Sequence, residues 1–190
     1  MNIVDQIRQY KPFNDQEEAD KKNILALMEI YPDIFERTNE IAHFTASSWT
    51  VNKDHTKVLM AYHKIYDSWA WLGGHNDGDK DCLAVAIKEV KEESGVNNVT
   101  PLMDGIFSLE VLSVDSHYKK GKYVPTHMHL NVTYLLEADE DEVLKVKEDE
   151  NSGVAWFGLD EALEKSSEEW FKKFIYQKLN EKLRILDENN

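Results

Sequence analysis

From Gly74 to Val96 the chain sets a turn, a helix and a stop in fixed order, and this unit limits the folds open to it more than any other stretch. Gly74-His75-Asn76-Asp77-Gly78-Asp79-Lys80 is a glycine-punctuated turn. Beyond it, Leu83, Ala86, Ile87 and Val90 recur with helical spacing and predict an apolar face that pins the helix to a core. Glu89, Glu92 and Glu93 fall at i, i+3 and i+4, so their side chains stack on one face of that helix. Ser94-Gly95-Val96 reads as the stop, because glycine takes the left-handed backbone conformation at little steric cost. Like charges so placed repel unless a cation lies among them. Hard carboxylate oxygens suit Mg2+ or Mn2+, ions that take a few carboxylates and fill their other positions with water and substrate phosphate. A solvated acidic helix face would account for the three glutamates, but not for the glycine turn upstream of them.

The segment resembles the box of the Nudix hydrolase family, G-x5-E-x7-R-E-U-x-E-E-x-G-U, with U a bulky aliphatic residue. Gly74, Glu89, Val90, Glu92, Glu93, Gly95 and Val96 match it. Lys80 stands where the family has its first glutamate, and Lys88 where it has arginine. The flank Trp69-Ala70-Trp71-Leu72-Gly73-Gly74-His75 is similar to the family's W-x-x-P-G-G-H entry, with Leu72 in place of proline. An arginine fork fixes two carboxylates in one plane, whereas Lys88 offers a point charge on a flexible stem. Asp79 and Asp81, on either side of Lys80, are placed to take over the missing acid's part in capping the helix or binding turn amides.

Asp77-Gly78-Asp79-Lys80-Asp81 also opens like an EF-hand calcium loop, but the register excludes one. Counting from Asp77, the sixth position requires glycine and holds Cys82, and the twelfth requires glutamate and holds Lys88.

The flanking sequence orders itself around the box. Ile3, Ile7 and Tyr10, then Ile24, Leu27, Met28 and Tyr31, form two helical stripes separated by Pro12, so residues 1–41 are expected to be a helical extension, by default a cover for the sheet. Residues 42–190 are expected to form the main domain. Strands are predicted over Phe44–Val51 and Lys57–His63, with Asn52-Lys53-Asp54 as the turn between them, then over Ile106–Asp115 and Thr126–Leu136. In the last of these, alternation puts His127, His129, Asn131 and Thr133 on one face, either lining a substrate pocket or solvated. His-x-His spacing is also used by zinc sites, but no second ligand pair lies nearby in the sequence, and His75 reads as a turn residue. Trp69, Trp71, Tyr62 and Tyr66 are expected in the core rather than stacked on a base. Glu169–Leu186 predicts an amphipathic helix with Phe171, Phe174, Ile175, Leu179, Leu183 and Leu186 on its apolar stripe.

A formal net charge of −14 repels long polyanions, so stable nucleic-acid binding is not expected. A small phosphorylated metabolite differs, because a bound cation reverses the sign of an acidic site and admits a diphosphate. No apolar run is long enough to span a membrane, and Met1–Arg8 lacks the basic stretch and apolar core of a secretory signal. The single cysteine, Cys82, excludes an internal disulfide and reads as a small core residue in a reducing, cytoplasmic setting. A homodimer stays open, with nothing specific to indicate one.

The resemblance covers the box and, by order of elements, residues 42–165. It implies an α/β fold, the Nudix α/β/α sandwich with a mixed sheet. It implies Mg2+ or Mn2+ held by Glu89, Glu92 and Glu93, with Glu89 a metal ligand or the base. The acidic loop Lys147–Gly153 and Val154-Ala155-Trp156-Phe157 resemble a family segment that supplies one further acid, Glu150 or Glu148. Gly74, His127, His129 and Asn131 are the expected substrate contacts. The implied reaction is hydrolysis of a nucleoside diphosphate linked to another group, with ADP-ribose and sugar nucleotides among the candidates. Lys80 and Lys88 motivate the alternative of a nucleotide-binding module that has lost turnover. Isoprenoid diphosphate isomerisation, which the same fold supports, needs a cysteine facing the alkene, and Cys82 lies in the box helix instead.

Overall fold

The computed structural model describes residues 1–119 and 121–189. In chain order these form α1 (Ile3–Gln9), α2 (Asp15–Ile30), β1 (Ala42–Val51), β2 (Lys57–His63), β3 (Ser68–Ala70), β4 (Leu72–His75) and α3 (Cys82–Ser94). There follow β5 (Val99–Pro101), β6 (Ser108–Val114), β7 (His117–Lys119), β8 (Lys122–Val124), β9 (His127–Ala138) and β10 (Asn151–Gly158). The chain closes with α4 (Leu159–Lys165), α5 (Glu169–Phe171), a π-helical turn (Lys172–Tyr176) and α6 (Gln177–Glu188). Two compact units result, one of Met1–Ser47, Gly73–Ala86 and Met103–Tyr134, the other of Ser48–Leu72, Ile87–Leu102 and Leu135–Asn190. The strands β1 and β9 and the helix α3 contribute residues to both.

In the first unit, Asn2 and Asn14 cap α1 and α2 by accepting from the backbone amides of Asp5 and Glu17 at 2.9 and 3.0 Å. Ile3, Ile7 and Ile24 are buried, as their spacing predicts. β6 pairs antiparallel with β9, from Ser108 opposite Thr133 to Val114 opposite His127. The side chains of α2 meet β6. Gln16 Nε2 donates to the Leu109 carbonyl at 3.1 Å, and Asp20 Oδ2 accepts from the Val111 amide at 3.0 Å. Residues one helical turn apart thus bond to strand groups two residues apart, so α2 runs along the edge of β6. Beneath it lies a buried polar network. Asn131 Oδ1 accepts from Thr45 Oγ1 at 2.9 Å and Ser47 Oγ at 2.8 Å, while its Nδ2 donates to Glu110 and Thr133, each at 3.0 Å.

In the second unit, β2 is central. It pairs antiparallel with β3, with the end of β1 at Val51 and Val58, and with β10 from Asn151 to Gly158. The turn before β2 forms where the sequence places it, because Asn52 Oδ1 accepts from the amides of Thr56 and Lys57 at 3.0 and 2.9 Å. Trp49 is fully buried against Tyr176, ring centroids 5.3 Å apart. The last helix differs from its sequence reading. Ile175, Leu179 and Leu183 are buried as expected, but Phe174 is 42% exposed and Tyr176 takes an inward position. The π turn over Lys172–Tyr176 adds a residue per turn and rotates the stripe, which strict α-helical counting cannot register.

Candidate active site

The helix α3 starts in the first unit, and Asp81 begins it by accepting from the Ala84 amide at 3.1 Å, with Asp79 accepting from the Asp81 amide at 2.9 Å. The capping role expected of these two aspartates is therefore filled. Lys80, between them, lies with Nζ 5.9 Å from the ring centre of Phe35. Asp77, with φ of +48°, has both carboxylate oxygens bonded by Arg37, so it serves the turn rather than a calcium loop. Cys82 is buried, and burial pushes its thiol up to about 12, the behaviour of a core residue and not a nucleophile.

Along α3 the buried positions are Cys82, Val85, Ala86, Glu89, Val90, Glu93 and Ser94, while Leu83 and Ile87 are half-buried. The apolar and acidic faces are thus not separate, as the spacing of Leu83 and Ile87 suggested. Glu89 and Glu93 prolong the buried stripe, and Glu92 stands at its exposed margin. Gly95 ends the helix at φ +78°, its amide donating to the Lys91 carbonyl at 2.9 Å. A Cβ there would come 2.8 Å from Lys145 Cβ, so both conformation and space require glycine.

In the second unit the box glutamates meet the loop before β10. Lys147 Nζ lies 2.8 Å from Glu150 Oε2, 3.7 Å from Glu92 Oε2 and 4.0 Å from Glu89 Oε2. Lys88 adds contacts of 3.8 Å to Glu89 and 3.7 Å to Glu92. Glu93 is held differently, its Oε1 accepting from Asn151 Nδ2 at 3.1 Å. Burial raises the Glu89 carboxyl above the usual range, against the opposing pull of Lys147 and Lys88. Burial also lowers Lys147, but its hydrogen bond to Glu150 and the charges of Glu150, Glu89 and Glu92 outweigh that and leave it raised. Of the two loop acids, Glu150 reaches this cluster, while Glu148 is exposed and its carbonyl accepts from Lys64. Gly153 is small for a local reason, since a Cβ would lie 3.1 Å from the Trp69 indole. Sequence reasoning missed Lys147 and Asn151, although the i, i+3 spacing of Lys147 and Glu150 was legible.

The donor set fits a hard divalent cation. Three carboxylates on two elements bring an oxygen within 4.0 Å of one ammonium nitrogen, so they already converge on a position for positive charge. The aromatics of this unit contact one another. Trp69 lies edge-on to Tyr62 and Phe157 at 5.5 and 4.7 Å, and Trp71 lies edge-on to Tyr176 at 5.8 Å.

The expected substrate contacts lie in the first unit. Gly74 is in β4, which pairs β1. The amide of Asn131 commits both its oxygen and its nitrogen to four side-chain partners. His127 and His129 join His43 and His75 in a ring cluster with centroids of His43 at 4.9, 5.0 and 5.1 Å from those of His127, His129 and His75. His75 is therefore more than a turn residue. Burial lowers His129 to about 2 and His75 to about 3, so both rings are neutral at ordinary pH.

An acid-bearing helix thus follows a glycine turn, and a loop acid, Glu150, stands with two of its glutamates around Lys147. The NUDIX domain family model matches residues 41–178, and the chain belongs to the Nudix family, as a pyrophosphohydrolase with the family's mixed-sheet α/β sandwich. Among solved structures, it is similar to an Ap4A hydrolase from C. elegans at 18% identity and TM-score 0.55, over 77% of this chain and 98% of that one. A NUDIX family hydrolase from Clostridium perfringens is 22% identical with TM-score 0.52, over 76% of this chain and 97% of that one. A Nudix hydrolase from M. smegmatis is 15% identical with TM-score 0.53, over 76% and 87%. No curated protein sequence matches the chain. Among the described residues, no helix is long and apolar enough to cross a membrane.

Proposed function

We propose that the protein hydrolyses the diphosphate bond of a nucleoside diphosphate linked to a second group, using Mg2+ or Mn2+ bound by Glu89, Glu92 and Glu93 with Glu150 beside them. The observation that carries this reading is the convergence of Glu89, Glu92 and Glu150 on one ammonium position. Bound there, the ion would lower the pKa of water and offset phosphate charge. Water attacks one phosphorus, the bridging P–O bond breaks, and two phosphomonoesters leave, with the proton of water passing to a carboxylate. Glu89, whose carboxyl burial raises, either binds the metal or takes that proton. Asn151 fixes Glu93 by hydrogen bond, and Lys88 orients Glu89 and Glu92. A cytoplasmic setting suits the single, buried cysteine, Cys82. ADP-ribose and sugar nucleotides lead the substrate panel, and the likeness to an Ap4A hydrolase adds dinucleoside polyphosphates to it.

The test is chromatography of products from this panel with Mg2+ or Mn2+, beside a Glu92→Gln, Glu93→Gln variant checked for folding by circular dichroism. Metal-dependent cleavage lost in the variant is the expected result. Tight nucleotide binding in calorimetry without turnover over hours, from folded protein, would replace the hydrolase with a binding module.

A further inference from the structure

We infer that His43, His75 and His129 form a site for one zinc ion, built from none of the box carboxylates. Each offers one ring nitrogen, and these three atoms lie within 4.8 Å of one another. They come from three strands. His43 is the second residue of β1, His75 closes β4, and His129 is the third residue of β9, while β4 pairs with β1. Three strands thus deliver three imidazoles to one place, although the sequence separates them widely.

The rings of His43 and His129 are held as metal-binding histidines are held. Nδ1 of His43 lies 2.9 Å from the Asn39 carbonyl, which can only accept, so the proton sits on Nδ1 and the lone pair on Nε2. That Nε2 is buried and has no hydrogen-bond partner among the described residues, on a residue only 4% exposed. A buried lone pair without a donor is destabilising, and a cation is one partner that satisfies it. His127 supports the set. Its Nδ1 lies 2.8 Å from the Pro125 carbonyl, and its Nε2 lies 3.2 Å from Nε2 of His129. His127 therefore accepts from His129 and fixes that ring's orientation.

Distances favour zinc. Zn–N bonds of about 2.1 Å set tetrahedral ligand nitrogens about 3.4 Å apart. A triangle no wider than 4.8 Å closes to that size by side-chain shifts of under about 1 Å each. Imidazole nitrogen selects zinc, copper, nickel or iron over Mg2+ and Mn2+, which prefer oxygen. Three neutral ligands leave a fourth position for water or an anion, the pattern of an open zinc site.

The experiment is metal analysis of the purified full-length protein after equilibration with zinc and excess Mg2+, with the visible spectrum of the Co2+-loaded protein as a second readout. One zinc per chain is expected, with a tetrahedral Co2+ spectrum. His75→Asn, at a half-buried position, and His129→Gln should each weaken zinc binding by about a hundredfold while circular dichroism shows the fold retained. The Glu92→Gln, Glu93→Gln variant should keep its zinc. Zinc that disappears with the glutamates and survives both histidine changes, or no zinc bound by folded protein, would overturn the assignment.

Discussion

The ammonium of Lys147 lies 2.8 Å from Glu150 Oε2, three residues along the same loop, and it faces Glu89 and Glu92 as well. A side-chain cation therefore occupies the position on which the box acids converge. We predict that Lys147→Met lowers the Mg2+ concentration for half-maximal activity by roughly twofold to fivefold, since a partly exposed ion pair is worth at most about 1 kcal/mol. Activity measured across a Mg2+ titration checks this, and an unchanged midpoint would remove Lys147 from competition with the ion.

Lys88 contacts Glu89 and Glu92 at 3.8 and 3.7 Å, both beyond hydrogen-bond range. An arginine could bind each carboxylate directly. The expected outcome for Lys88→Arg is a rise in kcat/KM of roughly twofold to fivefold, the size of a modest gain in positioning. Steady-state kinetics on the preferred substrate decides it. A loss of activity would show that the lysine is fitted to this site as it stands.

Gly95 combines φ of +78° with a Cβ clash at 2.8 Å against Lys145. Gly95→Ala should destabilise the protein by about 1–2 kcal/mol from conformation alone, with the contact adding to it. Thermal unfolding should show a lower Tm. Because Glu92 and Glu93 lie just upstream on α3, activity should fall with it.

Burial pushes the Glu168 carboxyl up to about 7 from an ordinary value of 4.5. An acid with a raised folded pKa binds its proton more tightly when folded, so the unfolded state holds fewer protons between these values. Stability from this group is therefore greatest below about pH 4.5 and falls as pH rises toward 7. Glu168→Gln should flatten that slope and stabilise the protein at pH 8. Urea unfolding of both proteins at several pH values tests it, and parallel curves would refute it.

Much of this was legible because it is local. β2 begins and ends at the predicted residues, and the Asn52 turn forms through bonds to residues four and five positions on. The cap at Asp81 and the stop at Gly95 are equally short-range. The histidine cluster was not legible, because strand pairing, not spacing, brings His43 and His75 to the His127-x-His129 pair. Asn131 shared a face with those histidines as predicted, yet Thr45 and Ser47 on β1 claim its oxygen, and no local pattern announces them. In the last helix, the spacing of Phe171, Phe174 and Ile175 satisfies an ideal α-helix, so the π turn emerges only from packing.

The bonds from Gln16 and Asp20 to β6 carry a consequence for the protein's behaviour in a crowd. The outer rim of a sheet invites strand addition by other molecules, and here helix side chains already engage the Leu109 carbonyl and Val111 amide. The opening segment thus occupies strand groups that an added strand would otherwise pair with. If the freed edge then pairs with other chains, substitutions at these two positions should show growing particles in light scattering.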